Sequence, residues 1–98
     1  MKKVYTLKAE VRLYPGNTPW HFLSLPKRES EEIKRTFGKV KRGFGSVPVI
    51  VTIGTSSWKT SIFPYAKEGV YILPLKAEVR RRENIRVGQN ISFIVVLK

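Results

Sequence analysis

Residues 3–13 read KVYTLKAEVRL. Tyr5, Leu7, Ala9, Val11 and Leu13 fall on one side and Thr6, Lys8, Glu10 and Arg12 on the other, the period of two that a half-buried strand requires. YPGNTP at 14–19 follows, with Pro15, Gly16 and Asn17 supplying turn chemistry, and WHFLSLP at 20–26 reads as the returning strand. This hairpin sets Trp20 and Phe22 on one side of the strand and His21 on the other. VPVIVTI at 47–53 then turns at GTSS into WKTSIFP at 58–64, and VYILPL at 70–75 and NISFIVVL at 90–97 read as two more strands. NISFIVVL is apolar on both faces, as in a strand flanked on both sides or closed into a barrel.

Two stretches change the period. SEEIKRTFG at 30–38 offers Ser30 as a cap, Glu31 and Glu32 in a first turn, Lys34 and Arg35 in a last turn and Gly38 as a stop, with Ile33 and Phe37 toward a core. KAEVRRREN at 76–84 reads as a second short helix with Val79 inward. The expected fold class is mainly β: a small split β-barrel of about six mostly antiparallel strands with two short helices covering its openings, in a single domain spanning 1–98. At 98 residues a second domain has no room.

Composition narrows the chemistry. The chain is 42% hydrophobic and 27% charged, as an ordinary globular domain is, and it has neither cysteine nor aspartate and one histidine. A cysteine-free chain suits a reducing compartment. Lys8, Glu10 and Arg12 break any apolar signal segment, and no apolar run approaches the roughly 20 residues of a membrane span. A cytoplasmic protein without a membrane partner is expected. Metal sites need several Cys, His or carboxylate ligands, so neither metal nor cofactor is expected. Ser-His-Asp catalysis lacks its aspartate, and Glu31 and Glu32 are better read as helix-dipole partners than as a catalytic pair. The expectation is therefore a non-enzyme.

The net charge is +12. It spares the centre: residues 46–75 carry +1, whereas 21–45 and 76–98 carry +4 each. A Lys- and Arg-rich chain of this kind either meets polyanions or reflects a thermophile-like bias. GKVKRGFG at 38–45 fails as a P-loop, because Gly43 is followed by Phe44 rather than by lysine and a hydroxyl residue. It does offer Lys39, Lys41 and Arg42 to phosphates. In KAEVRRREN successive side chains turn by about 100°, so Arg80, Arg81 and Arg82 fan apart, and pairing of Glu78 with Arg81 or Arg82 and of Glu83 with Arg80 explains much of the run locally. A diffuse basic face remains.

The opening strand, WHFLSLP, SEEIKRTFG, VPVIVTI with its GTS turn and Phe63-Pro64, then Gly69, VYILPLK, Arg80 and Gly88, in this order and spacing, resemble the domain of unknown function 1905 family. The resemblance spans nearly the whole chain. It implies a split β-barrel with two helices, related to that of AbrB-like transition regulators, which bind DNA as swapped dimers. Some members of the family are joined to a second domain associated with protection against antimicrobial peptides. It implies no catalytic residues and no substrate. Gln89 departs from the acidic residue more usual after that glycine, and 38–46 is more glycine-rich and basic than the family pattern.

Three readings of function follow. In the first, Lys39, Lys41, Arg42, Arg80, Arg81 and Arg86 contact a nucleic-acid backbone without strong sequence preference. In the second, the barrel's mouth holds a small ligand or peptide near Trp20, Trp58 and Tyr65, although Trp20 is better placed in the barrel core. The third is a homo-oligomer, which would show a large exposed apolar patch.

Overall fold

The computed structural model describes residues 2–14, 16, 19–37 and 45–97. Strands β1 (Lys3–Glu10), β2 (Arg12–Tyr14) and β3 (Trp20–Ser24) are followed by helix α1 (Lys27–Phe37). Then come β4 (Val47–Ile53), β5 (Ser56–Tyr65), β6 (Val70–Pro74), helix α2 (Ala77–Glu83) and β7 (Asn90–Leu97). All pairings are antiparallel, in the order β1-β7-β4-β5-β6-β3-β2.

The first and last strands of that order are neighbours in the chain, separated by Val11 alone, so the sheet curls back on itself. Val11 leaves the β1 ladder, gives its N–H to the Gln89 carbonyl at 2.8 Å and accepts the Gly88 N–H at 2.8 Å. One residue out of register lets the strand leave β7 and join β3. This corrects the expected strand count, because the continuous alternation of 3–13 is two strands in space and the sheet has seven among the described residues. β5 makes the same passage opposite: Ser56–Ile62 pair with β4 and Phe63–Tyr65 with β6. The barrel thus consists of two half-sheets joined by two long strands, and it is mainly β with two helices, as the patterning predicts.

Alternation fills the interior. Leu7, Val11, Leu23, Val49, Val51, Ile62, Tyr71, Leu73, Phe93, Val95 and Leu97 point inward, with Ile33 of α1 and Val79 of α2 closing over them. Leu13 keeps the inward phase but runs past the rim and is 45% exposed. Pro48 stands where β4 has not yet met β7, whose pairing begins at Ile50.

Helix α1 starts one turn earlier than the expected cap at Ser30. The Pro26 carbonyl accepts the Ser30 N–H at 2.9 Å, so Pro26 occupies the capping position and Ser30 lies inside the helix. Ser30 is buried; its Oγ donates to the Leu25 carbonyl at 3.3 Å and accepts the Tyr71 N–H at 3.0 Å, tying the helix to β6. Tyr5 Oη donates to the Glu32 carboxylate, which also meets Lys3 Nζ at 3.4 Å. Burial and that carboxylate push the Tyr5 hydroxyl up to about 12. Helix α2 ends at Asn84, which takes the left-handed conformation at φ 57°.

Candidate functional site

Aromatic side chains collect on the outside of one half-sheet. In β3, Leu23 points inward, so Trp20, Phe22 and Ser24 point out. The register places Tyr14 across from Trp20, Arg12 and Pro74 across from Phe22, and Phe63 across from Ile72. All are outward residues, and most are apolar. Tyr14 stacks on Trp20 with ring centroids 5.0 Å apart and planes at 26°. Tyr14 also meets the Phe22 ring at 6.2 Å and the Tyr65 ring at 5.9 Å, both edge-on, while Trp20 tilts against Phe22 at 5.5 Å. Such rings favour offset or edge-to-face contact because of their quadrupoles.

The outcome is a second apolar layer outside the barrel core. Phe22 and Ile72 are only 2% and 5% exposed, yet neither belongs to the interior cluster. Over them lies an open depression of about 510 Å³ lined by Tyr14, Trp20, Phe63, Tyr65, Ile72 and Pro74.

Charge is arranged at its edge. The Arg12 guanidinium lies 5.0 Å from the Phe22 ring centroid and donates to Glu68 through Nη1 at 2.9 Å and through Nη2 at 2.5 Å. That contact holds the Glu68 carboxyl below the usual carboxylate range and raises Arg12. The β3–β6 register continues through the Leu75 N–H, which donates to the His21 carbonyl at 2.9 Å, so exposed Lys76 stands across from Trp20. Lys67 is exposed in the turn after Tyr65. Helix α2 begins right after Lys76.

The expected binding residues divide accordingly. Trp20 is not in the barrel core, because odd spacing from Leu23 turns it outward. It joins Tyr65 through Tyr14, as part of the second layer. Trp58 lies seven residues before Tyr65 on the same strand and so faces the other way, opposite Val51 and against the core. The expected aromatic trio is therefore two residues at the depression and one elsewhere. Trp58 Nε1 and His21 Nδ1 are buried without a hydrogen-bond partner among the described residues. Burial, and then the charge of Arg80, lower His21.

Of the basic residues, Lys39, Lys41 and Arg42 lie outside the described residues. Arg80 is half-buried, its Nε donating to the Leu75 carbonyl at 3.2 Å, so it is held against the barrel rather than fanned into solvent. Arg82 pairs with Glu78 at 3.9 Å, as the helical spacing predicts. Glu83 does not pair with Arg80. It accepts from Ser56 Oγ at 2.5 Å and from Thr55 Oγ1 at 3.3 Å, because the end of α2 abuts the β4–β5 turn, and these bonds lower its carboxyl. Arg81 and Arg86 are exposed and form no ion pair among the described residues. Sequence reading overlooked Tyr14, Phe63, Ile72 and Pro74; the available signal was apolar residues on both faces of VYILPL and SIFPY.

Among the described residues no group of three or more metal-ligating side chains stands together, and no helix is long and apolar enough to cross a membrane. Taken together these features define a class: a split antiparallel β-barrel capped by two helices, with an aromatic layer outside one half-sheet. The chain belongs to the family described as Domain of unknown function (DUF1905), whose profile matches residues 8–95. No curated protein matches it.

Proposed function

We propose that this protein is a non-catalytic binding module whose recognition surface is the aromatic depression of β2, β3, β6 and β5. One observation carries the reading: six apolar side chains, four of them aromatic, line an open depression of about 510 Å³ on the outer face of that half-sheet. Ligand sites are concave and largely apolar, with few polar groups. Phe63 is exposed at the depression, with Tyr14, Trp20, Tyr65 and Pro74 half-buried around it.

The two tryptophans make the test direct, since Trp20 borders the depression and Trp58 faces the interior. The probe is anilinonaphthalene sulfonate, titrated into a Trp58→Phe chain that keeps Trp20 and into a Trp20→Phe chain that keeps Trp58. Quenching of Trp20 alone, lost in Tyr65→Ala, is expected. Equal quenching in both chains, or quenching indifferent to Tyr65→Ala, would overturn the assignment.

A second reading, contact with a nucleic-acid backbone, is favoured by the net charge of +12 and by exposed Arg81 and Arg86. Its Lys39, Lys41 and Arg42 component is tested by removing those charges together and measuring the salt dependence of oligonucleotide binding. A smaller salt slope is expected.

A further inference from the structure

We infer that the aromatic depression, read as the recognition surface above, stacks the bases of a single-stranded nucleic acid whose phosphates follow the cations at its rim. Three observations converge on that occupant. The lining consists of four aromatic side chains, Ile72 and Pro74, which suits an occupant with a flat π-face and no demand for base-edge hydrogen bonds. The rim carries cations: exposed Lys76 stands across from Trp20 where the β3–β6 register is continued, and exposed Lys67 follows Tyr65. The acid of the β5–β6 turn, Glu68, is bound to Arg12 and so offers little repulsion.

Charge complementarity selects among occupants that use the same rings. A proline-rich peptide docks on aromatic grooves without calling for the lysines at this rim, Lys67 and Lys76. A nucleic-acid strand uses both the rings and the cations. A duplex is disfavoured because its bases are already stacked on each other and turn only edges and phosphates outward. Stacking on rings is tolerant of sequence, so the expected preference is for single strands over duplexes, with little choice among bases.

Quenching of Trp20 in the Trp58→Phe chain separates the alternatives when three probes are compared: a short oligothymidylate, an abasic oligonucleotide of equal length, and a duplex of equal length. At about 50 to 200 mM salt the oligothymidylate should bind at least about tenfold more tightly than the abasic strand, since base stacking and not phosphate number distinguishes them. Phe63→Ala and Tyr65→Ala should each weaken it about fivefold or more, and Lys76→Ala should reduce the salt slope. Lys34→Ala, on the exposed side of α1, should do neither, and far-ultraviolet circular dichroism verifies that every variant is folded. Equal affinity for the abasic strand, preference for the duplex, or indifference to Phe63→Ala and Tyr65→Ala overturns the inference. If the oligonucleotide results overturn it and a proline-rich peptide or the naphthalene probe still quenches Trp20 in a Tyr65-dependent way, the base-stacking inference fails while the recognition surface stands. If neither does, both fail.

Discussion

The two half-sheets obey the same alternation yet differ on their outer faces. Across β1, β7, β4 and β5 the outward rows are Val4, Val96, Ile50 and Lys59, then Thr6, Ile94, Thr52 and Ser57. These are short, β-branched or polar side chains, with Val4 and Ile94 57% and 37% exposed, and Thr52 bonded to Ser57 through their hydroxyls. Across β2, β3, β6 and β5 the outward positions hold Tyr14, Trp20, Phe22, Phe63, Tyr65, Ile72 and Pro74, and Phe22 is 2% exposed. The interior is already filled by other residues, so barrel closure does not require these rings. What the first half-sheet achieves with valine and threonine, the second does with aromatics that shelter one another and still leave an open depression. That excess is the physical ground on which recognition is proposed there.

The comparison is sharpened most by truncations at three depths. Phe93→Ala, in the barrel core at 1% exposure, should cost about 3–5 kcal/mol. Phe22→Ala, equally hidden but outside the barrel, should cost about 3 kcal/mol, near the lower end for a buried aromatic. Ile94→Thr, on the outer face of the other half-sheet, should stay within about 0.5 kcal/mol. Urea denaturation ranks all three. If Phe22→Ala were no costlier than Ile94→Thr, the second layer would be mere surface and the contrast between the half-sheets would collapse.

Ser30 links the second half-sheet to helix α1, and its effect comes next in size. Ser30→Ala removes the acceptor of the buried Tyr71 N–H and should cost about 1–3 kcal/mol, the penalty of an unsatisfied buried donor. Hydrogen exchange should localise the loss, with the Tyr71 amide exchanging faster than amides of β1 and β7. Uniform acceleration across both half-sheets would show that α1 is bound into the whole barrel rather than to β6.

Much of this architecture is legible in the residues, and the limits have physical causes. KVYTLKAEVRL, VPVIVTI and NISFIVVL show their faces because period two survives tertiary context, and KAEVRRREN shows Val79 inward and Glu78 near Arg82. The exit of Val11 from the ladder is invisible locally, since its partners Gly88 and Gln89 are distant in the chain. The start of α1 is hidden because Ser30 has the chemistry of a cap, while the decisive group, the Tyr71 N–H that it accepts, lies on another strand. The rings were visible one at a time. Their union needs the register of β2 on β3, β3 on β6 and β6 on β5, which is set by the whole sheet. Residue type groups Trp58 with Tyr65, and only strand parity separates them.

His21 lies on the inner side of the strand whose outer side carries Trp20 and Phe22, so it reports whether the two layers are coupled. Burial and the Arg80 charge lower it from the ordinary value of 6.5. The unfolded chain then binds the proton more readily, so stability is fully present above about pH 6.5 and is lost as pH falls from there toward the folded value. The melting temperature should decline over that window, and His21→Asn should flatten the decline. Persistence of the same decline in His21→Asn would assign it to other groups.

The smallest effect belongs to the contact that joins charge to the aromatic layer. Arg12 and Glu68 are 40% and 34% exposed, so their pairing is screened by solvent and should contribute less than about 1 kcal/mol despite its two hydrogen bonds. Arg12→Met keeps much of the stem over Phe22 while removing the charge, and Glu68→Gln removes only the carboxylate. Both should leave stability almost unchanged, and the residual effect should fade as salt increases. Their effects on recognition should be opposite, because Glu68→Gln leaves a cation at the rim and Arg12→Met leaves an uncompensated carboxylate there. Oligothymidylate affinity should rise in the first and fall in the second. An identical change in both would mean that the pair acts by shaping the depression, and that charge at this edge is incidental.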